Sequence, residues 1–357
     1  PPLNLMKEII RRKTRCIRLG NISIGGDAPV SIQSMLSVKT ADVEAASRQI
    51  RSLVSAGCEI IRFSVMDMDD AGAIHSLKQV SSVPLVADIH FDHKLALAAI
   101  AGGIDGLRIN PGNIGSRSGV ESLVAAARER EIPIRIGVNS GSLPKDLLQK
   151  YGHGTQAMVE AALSHVHILE DLGYNEIKIS VKASAIDLML DSYRELSHRV
   201  DYPLHLGLTE SGTLLSGSVK SAIALGILLE EGIGDTIRVS LSADPVQEVV
   251  VARQILVALG LRKGLNIVSC PTCGRTRINL IALAEKVEAA LTEFRDCEMT
   301  VAVMGCAVNG PGEAREADFG IAGGVGEGLL FARGEIVAKV PEDRLVDELL
   351  RLIRESR

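Results

Sequence analysis

From residue 30 onward the chain repeats one pattern. Short β-branched apolar runs alternate with amphipathic stretches of roughly 12 to 18 residues, the signature of β-α units wound onto a parallel sheet. Eight strands are expected, at 30–35, 59–65, 84–90, 106–110, 133–139, 176–182, 203–210 and 235–242. Helical periodicity fills the gaps at 42–56, 116–130, 155–173, 213–231 and 244–261, and several of these stretches open with Ser, Thr or Asp in the capping position. Eight units in about 230 residues is the size of a (β/α)8 TIM barrel, so the fold class expected is α/β. A doubly wound open sheet is the rival that the same pattern allows. Ahead of the first unit, 14–26 reads as a hairpin turning at Gly20-Asn21, placed as a lid on the barrel floor.

After residue 261 the pattern changes. A short polar joint, Arg262-Lys-Gly-Leu-Asn266, precedes a strand at 265–270, a helix at 277–294 and a strand at 298–306. A Gly-rich loop, two or three strands across 319–340 and a closing helix at 342–355 complete a small α+β domain. The boundary expected is therefore 1–262 for the barrel and 263–357 for the second domain. The string Gly323-Gly-Val-Gly-Glu-Gly328 matches a dinucleotide loop only in its letters, because no helical run follows it, and a hairpin turn is expected there.

Side chains in a barrel strand alternate between the helices outside and the lumen inside, and the lumen is normally packed with branched apolar residues. Here one phase is apolar: Ile61, Phe63 and Val65; Leu107 and Ile109; Ile134, Ile136 and Val138; Ile177, Ile179 and Val181; Ile237, Val239 and Leu241. Those must face the helices. The other phase then turns Arg62, Arg108, Asn110, Arg135, Asn139, Lys178, Ser180, Lys182, Arg238 and Ser240 inward, with Asp88, His90, His205 and Thr209 in the same set. Six confined cations repel one another, and each desolvated ion costs several kcal/mol. They call for an anion, and a pair of phosphates suits Arg forks and Lys point charges. The structural alternative is pairing of single cations with Asp88, Glu210 or loop carboxylates.

Glu210 ends the seventh strand at the barrel mouth, where it can serve as a proton donor or, alternatively, as a helix cap or ion-pair partner. His90 is a candidate donor to an anionic oxygen, or else a satisfied core histidine. In the second domain, Cys270-Pro-Thr-Cys273 closes one strand, while Gly305-Cys-Ala-Val-Asn-Gly-Pro-Gly-Glu313 follows another. Cys270, Cys273 and Cys306 form an odd set of three, which suits a 4Fe-4S cube with one non-cysteine ligand better than a closed zinc site. Glu313 offers a carboxylate in the same run. Cys297 stands nine residues before Cys306, about 30 Å away along an extended strand, and is excluded. Cys16 and Cys58 read as buried small hydrophobes.

Composition narrows the function class. A net charge of -5, 3% aromatic residues and no Trp argue against a nucleic-acid surface, so any basic site must be local. No apolar leader and no uncharged apolar run of membrane-spanning length stand in the sequence, and the cysteines are unevenly placed. A cytoplasmic protein with no membrane partner is expected.

Eight strings together resemble one family. They are Ala87-Asp-Ile-His-Phe91, Leu107-Arg-Ile-Asn-Pro-Gly-Asn113, Arg135-Ile-Gly-Val-Asn139, Ser180-Val-Lys-Ala-Ser184, His205-Leu-Gly-Leu-Thr-Glu210, Ile233-Gly-Asp-Thr-Ile-Arg-Val-Ser240 and the two cysteine runs. Across essentially the whole chain they resemble the 4-hydroxy-3-methylbut-2-enyl diphosphate synthases (IspG, also called GcpE) in their shorter bacterial, two-domain form. The resemblance implies reductive ring opening of 2-C-methyl-D-erythritol 2,4-cyclodiphosphate with two electrons and loss of water, in the non-mevalonate isoprenoid pathway. It implies substrate binding by Arg62, His90, Arg108, Asn110, Arg135, Asn139, Lys182, Arg238 and Ser240, with Glu210 as proton donor. It also implies a 4Fe-4S cluster on Cys270, Cys273, Cys306 and a replaceable Glu313, and ferredoxin or flavodoxin as electron donor.

Two other classes stay open on the residues alone. One is a non-redox barrel enzyme of the pterin-binding type with structural zinc; the other is an electron carrier or cluster scaffold whose barrel only binds an anion. A last expectation is geometric. A helix at 244–261 returns the chain about 27 Å to the barrel face opposite the mouth, and a five-residue joint spans at most about 18 Å. The cysteine domain is then expected to cap the barrel of another subunit in a head-to-tail homodimer, which the resemblance also implies.

Overall fold

The computed structural model describes residues 8–306, 312 and 315–356. They fall into two compact units that divide between Leu259 and Gly260.

The first unit opens with an antiparallel hairpin, β1 (Ile17–Leu19) and β2 (Ile22–Ile24), turning through Gly20 at φ +55°. Eight parallel strands follow: β3 (Ser31–Met35), β4 (Ile60–Ser64), β5 (Leu85–Asp88), β6 (Gly106–Arg108), β7 (Ile134–Asn139), β8 (Ile177–Lys182), β9 (His205–Leu206) and β10 (Thr236–Ile237). Their order is β8-β7-β6-β5-β4-β3-β10-β9, and a parallel bridge between Ile179 and Leu204 joins the two ends into a ring. The intervening helices are α1 (Val43–Ala56), α2 (Met68–Val80), α3 (His93–Ala101), α4 (Arg117–Glu129), α5 (Lys145–Tyr151), α6 (Thr155–Asp171), α7 (Ile186–Arg199), α8 (Leu214–Glu230) and α9 (Pro245–Ala258). Side-chain caps fix where many of them begin. Asp42, Asp67, Asp92, Ser116 and Asp244 each accept from a backbone N–H of the first turn.

The apolar phase packs against the helices as the alternation requires. Ile61, Phe63, Ile109, Ile134, Ile136, Ile177, Ile179, Val181 and Ile237 are fully buried. Below the ring the hairpin acts as a floor: Ile17, Leu19 and Ile24 cluster with Ile60 and Val86 at the N-terminal ends of β4 and β5. Arg11 ties the preceding segment to the buried Asp235 at 2.7 Å. Two expectations need correction. Paired strand at 203–210 and 235–242 shrinks to two residues each, because past it the ladder thins to single bonds such as Arg238 N to Leu206 O and Thr209 N to Ala183 O, ahead of the left-handed residue Glu210, φ +54°. Cys16 is exposed, since the hairpin turns Ile17 and Leu19 inward and leaves its neighbour outside; Cys58 is buried as expected.

The second unit is a five-stranded sheet, β11 (Leu265–Ser269), β12 (Met299–Met304), β13 (Phe319–Gly323), β14 (Glu327–Ala332) and β15 (Glu335–Pro341), in sequence order. The first three run parallel and the last two antiparallel. Helices α10 (Leu280–Ala290) and α11 (Leu345–Glu355) supply Leu280, Leu283, Val287, Leu345, Leu349 and Ile353 to a core shared with Val301, Val303, Ile321 and Leu330. The helix expected from 277 starts later because Asn279 caps it, accepting from Ala282 N. The glycine string at 323–328 is a hairpin turn, with Gly324 N donating to Glu327 O and Gly326 at φ +72°. Among the described residues no helix is long and apolar enough to cross a membrane.

The hairpin floor is testable. Ile24→Ala removes a fully buried side chain between β2 and the strand ends and should lower barrel stability by about 2–4 kcal/mol. Anaerobic denaturant titration with an unchanged slope would show it. A loss below about 0.5 kcal/mol, the range of surface substitutions, would mean that the hairpin packs loosely.

Candidate active site

Strand register decides how the lumen is charged. Asp88 lies opposite Arg108, Arg108 opposite Arg135, and Arg135 opposite Lys178, on four successive strands. Neighbouring strands are about 4.8 Å apart, so three cations stand side by side with one carboxylate at the end of the row. Lys178 Nζ reaches Thr236 Oγ1 at 3.4 Å, across β9, which shows that this phase points inward.

Asp88 is the hub of one wall. Its Oδ1 lies 3.1 Å from Arg108 Nη1 and 3.4 Å from His90 Nε2, and its Oδ2 lies 3.5 Å from Arg62 Nε. Burial alone would raise this carboxyl, but Arg62, the His90 hydrogen bond, Arg108 and Arg135 together hold it well below the usual carboxylate range. Arg108 also donates to Gly137 O at 2.8 Å. A Cβ on Gly137 would sit 2.6 Å from Arg108 Nε, so the glycine is the space the guanidinium occupies. Gly207 does the same for Lys182, whose Nζ lies 2.8 Å from where a Cβ would be.

On the opposite wall Glu248, from the first turn of α9, reaches within 3.8 Å of Arg238 Nε. Among the described residues, Lys182 Nζ, Arg135 Nη2 and both nitrogens of the fully buried His205 meet no hydrogen-bond partner. Such groups are costly without a ligand. Burial and mutual repulsion push the basic groups towards neutrality: Arg62 falls to about 9 and Lys178 to about 7, while Arg135, Lys182 and His205 lie well below their ordinary values. A doubly charged anion entering the lumen would reverse that pressure.

The other anticipated residues take distinct places. Asn110 is engaged with the main chain of Gly137, donating to its O and accepting from its N, both at 3.0 Å, so it clamps β7 to the segment after β6. Asn139 ends β7 opposite Lys182 and is half-buried, as is Ser240. His90 is half-exposed, with Phe91 beside it in solvent. Glu210 is exposed above the end of β9, and its positive φ is one of three among non-glycine residues described. Such a conformation costs of order 1–3 kcal/mol and gathers at functional sites. Sequence reasoning missed Glu248, Gly137 and Gly207. His165 is buried and accepts from Gly112 N at 3.1 Å, holding the turn that follows Asn110.

In the second unit, the ends of adjacent parallel strands β11 and β12 bring the thiols to one edge. Cys270 follows β11, Cys306 follows β12, and Gly305 N donates to Cys270 Sγ at 3.2 Å. Arg277 N bonds Gly305 O, which closes the loop carrying Cys273 onto the same edge. Cys273 is exposed, and hydrogen bonds from the Arg275 main chain and side chain pull its thiol below the ordinary range, towards the ligating thiolate. Among the described residues no three His, Cys, Asp or Glu side chains are drawn in to single-ion distance. Glu313 and most of the loop before it, 307–311, lie outside the described residues. Cys297 packs on the core instead, apart from this edge.

Two family models match the chain, the GcpE TIM-barrel domain over residues 14–253 and the GcpE protein C-terminal domain over residues 266–355. The chain belongs to the GcpE family. A GcpE relative from Geobacter sulfurreducens, named 4-hydroxy-3-methylbut-2-en-1-yl diphosphate synthase (flavodoxin), is 62% identical over 96% of this chain and 97% of its own length. One from Clostridium perfringens with the same name is 56% identical over 96% and 99%. Two solved structures share the fold over about 70% of the chain. A 3-dehydroquinate dehydratase from Geobacillus kaustophilus matches 70% of this chain and 98% of its own at 16% identity, TM-score 0.51. A dihydropteroate synthase from Yersinia pestis matches 69% and 97% at 13% identity, TM-score 0.50. At these identities the likeness is one of fold.

The lumen charge has a pH signature in the ligand-free protein. Lys178 has a folded pKa near 7 against an ordinary 10.5, so between those values the folded chain binds fewer protons than the unfolded one and stability rises with pH. Lys178→Met should thus be more stable than wild type at pH 7 and lose that advantage as pH approaches 10. Parallel stability curves across that window would mean that Lys178 is not held in the lumen.

Proposed function

We propose that the chain carries out the 4-hydroxy-3-methylbut-2-en-1-yl diphosphate synthase reaction in the cytoplasm, on 2-C-methyl-D-erythritol 2,4-cyclodiphosphate. The observation that carries this reading is the lumen. Six cations face it, and the two carboxylates described as touching them, Asp88 and Glu248, leave a positive excess that a cyclic diphosphate would offset. Arg62, Arg108, Arg135, Lys182 and Arg238 would grip the phosphates. His90, Asn139 and Ser240 would orient the ring, while Asn110 acts mainly by holding the wall on which Arg108 stands.

In this reaction two carbon–oxygen bonds, one to a phosphate oxygen and one to a hydroxyl, give way to a carbon–carbon double bond. Two electrons enter and the hydroxyl leaves as water. Glu210, on the rim and in a strained backbone, would deliver the proton to that hydroxyl. The three thiols fit a 4Fe-4S group, being close to one sheet edge and supplied with N–H donors at sulfur. Cys270, Cys273 and Cys306 would hold it, with Glu313 as the fourth ligand. When bound it would supply the electrons one at a time, taken from flavodoxin or ferredoxin. A head-to-tail homodimer suits this reading, because α9 carries the chain away from the strand ends where the lumen opens.

Anaerobic turnover of the cyclic diphosphate with reduced flavodoxin tests the whole reading, and absence of product with fully loaded protein would reject it. Cys273→Ser should lose iron, sulfide and turnover together, whereas Cys297→Ser keeps all three. Glu210→Gln should bind the cyclic diphosphate within about twofold of wild type yet turn over at least tenfold more slowly, the signature of a lost transition-state role. Near wild-type turnover in Glu210→Gln would remove it as proton donor.

A further inference from the structure

Glu248 stands outside the lumen phase, on a helix, and yet its carboxylate is buried where three parts of the barrel wall meet. Oε2 accepts from Ser34 Oγ of β3 at 2.9 Å and lies 3.8 Å from Arg238 Nε, just beyond the end of β10. Oε1 accepts from Leu241 N at 3.0 Å. The next residue back, Ser240, offers its carbonyl to Ser211 Oγ, and Ser211 adjoins the strained Glu210. One carboxylate therefore fixes a guanidinium and the backbone of the loop that carries Ser240, and through Ser211 that loop braces Glu210. Arg238 Nε has no hydrogen bond of its own, and Glu248 is the carboxylate that stands within ion-pair range of it among the described residues.

We infer that Glu248 is a positioning residue for the substrate, the counter-charge that aims Arg238 into the lumen. This rests on the proposed reading of the lumen as a cyclic diphosphate site. Asp88 performs the matching task on the far wall, but from inside the strand phase, where a polar residue is expected to face the lumen. Glu248 does it from a helix by meeting Ser34, Arg238 and Leu241 just past the stretch where β3 and β10 pair, Ser31–Ile32 with Thr236–Ile237. Its first-turn position, four residues after the capping Asp244, gives the carboxylate a short path into the ring.

Glu248→Gln isolates the charge. An amide oxygen can still accept from Leu241 N, so the loop remains tied, while Arg238 loses its anionic partner. Binding of the cyclic diphosphate by titration calorimetry should weaken about tenfold, and steady-state kinetics should show the loss in KM with kcat within about twofold. The thermal midpoint should stay within a few degrees of wild type. The deciding comparison is a double-mutant cycle with Arg238→Ala. If Glu248 acts through Arg238, adding Glu248→Gln to Arg238→Ala costs less than a further twofold in Kd. A full tenfold loss in that background, or no loss in the wild-type background, overturns the assignment. Failure of the wild-type protein to bind the cyclic diphosphate would instead refute the reading of the lumen itself.

Discussion

Like charges held on neighbouring strands of a closed ring have nowhere to go. The ladder puts Arg108, Arg135 and Lys178 in direct register, and parallel pairing fixes their spacing whatever their side chains do. Much of the barrel's local detail answers that constraint. Asp88 sits at the end of the row and is shared by two guanidiniums and an imidazole. Gly137 and Gly207 give up their side chains to make room for charged groups. Glu248 crosses from the helix layer to meet a cation that the strand phase leaves without a partner. Even so, among the described residues Lys182 Nζ and part of Arg135 keep no partner, and on the proposed reading that deficit is what a bound anion would fill.

A lumen built this way cannot hold the barrel together. Its polar atoms are incompletely satisfied, and Arg135, Lys178 and Lys182 are pushed towards neutrality by burial and then by their charged neighbours. Stability has to come from the opposite face of the same strands, where Ile61, Phe63, Ile134, Ile136, Ile177, Ile179 and Val181 are fully withdrawn from water against the helices. Period-two alternation thus divides one strand into a stabilising side and a destabilising, functional side. At the foot of the lumen phase itself, Ile60 and Val86, two residues before Arg62 and Asp88, are apolar and pack on Ile17, Leu19 and Ile24 of the hairpin.

That division is also why so much was legible in the sequence. Apolar residues at every second position marked both the strands and, by exclusion, Arg62, Arg108, Arg135, Lys178, Lys182 and Arg238 as inward. Glu248 was not legible, because an acidic residue in a helix's first turn reads as a solvated partner of the helix dipole. Nothing in the letters says that its carboxylate turns towards the ring. Asn110 was read as facing the lumen, but its amide is spent on Gly137, a main-chain partner that no side-chain pattern reveals. Glu210 was placed at the end of a strand whose ladder stops four residues earlier, and its left-handed backbone has no sequence signal, since a Glu there is unfavourable. Cys16 followed a composition rule about cysteines rather than the phase of its own hairpin, and the phase won.

On the proposed reading, the two ends of the substrate pathway demand different things of the site. Substrate and product both carry two phosphates, so the cationic lumen grips them alike, and uniform grip lowers KM without speeding the chemistry. Rate must then come from groups that meet the carbon skeleton where bonds change. Those lie at the rim: His90 half in solvent and Glu210 in a conformation that costs energy to hold. The strain is placed where it can matter, because the backbone next to Glu210 is held by the hydrogen bond from Ser211 Oγ to Ser240 O, which would limit reorganisation as the hydroxyl departs. A deep anchor that does not discriminate leaves discrimination to a few exposed residues, which on this reading is why the barrel spends its buried charges on binding and sets the strained Glu210 at the mouth.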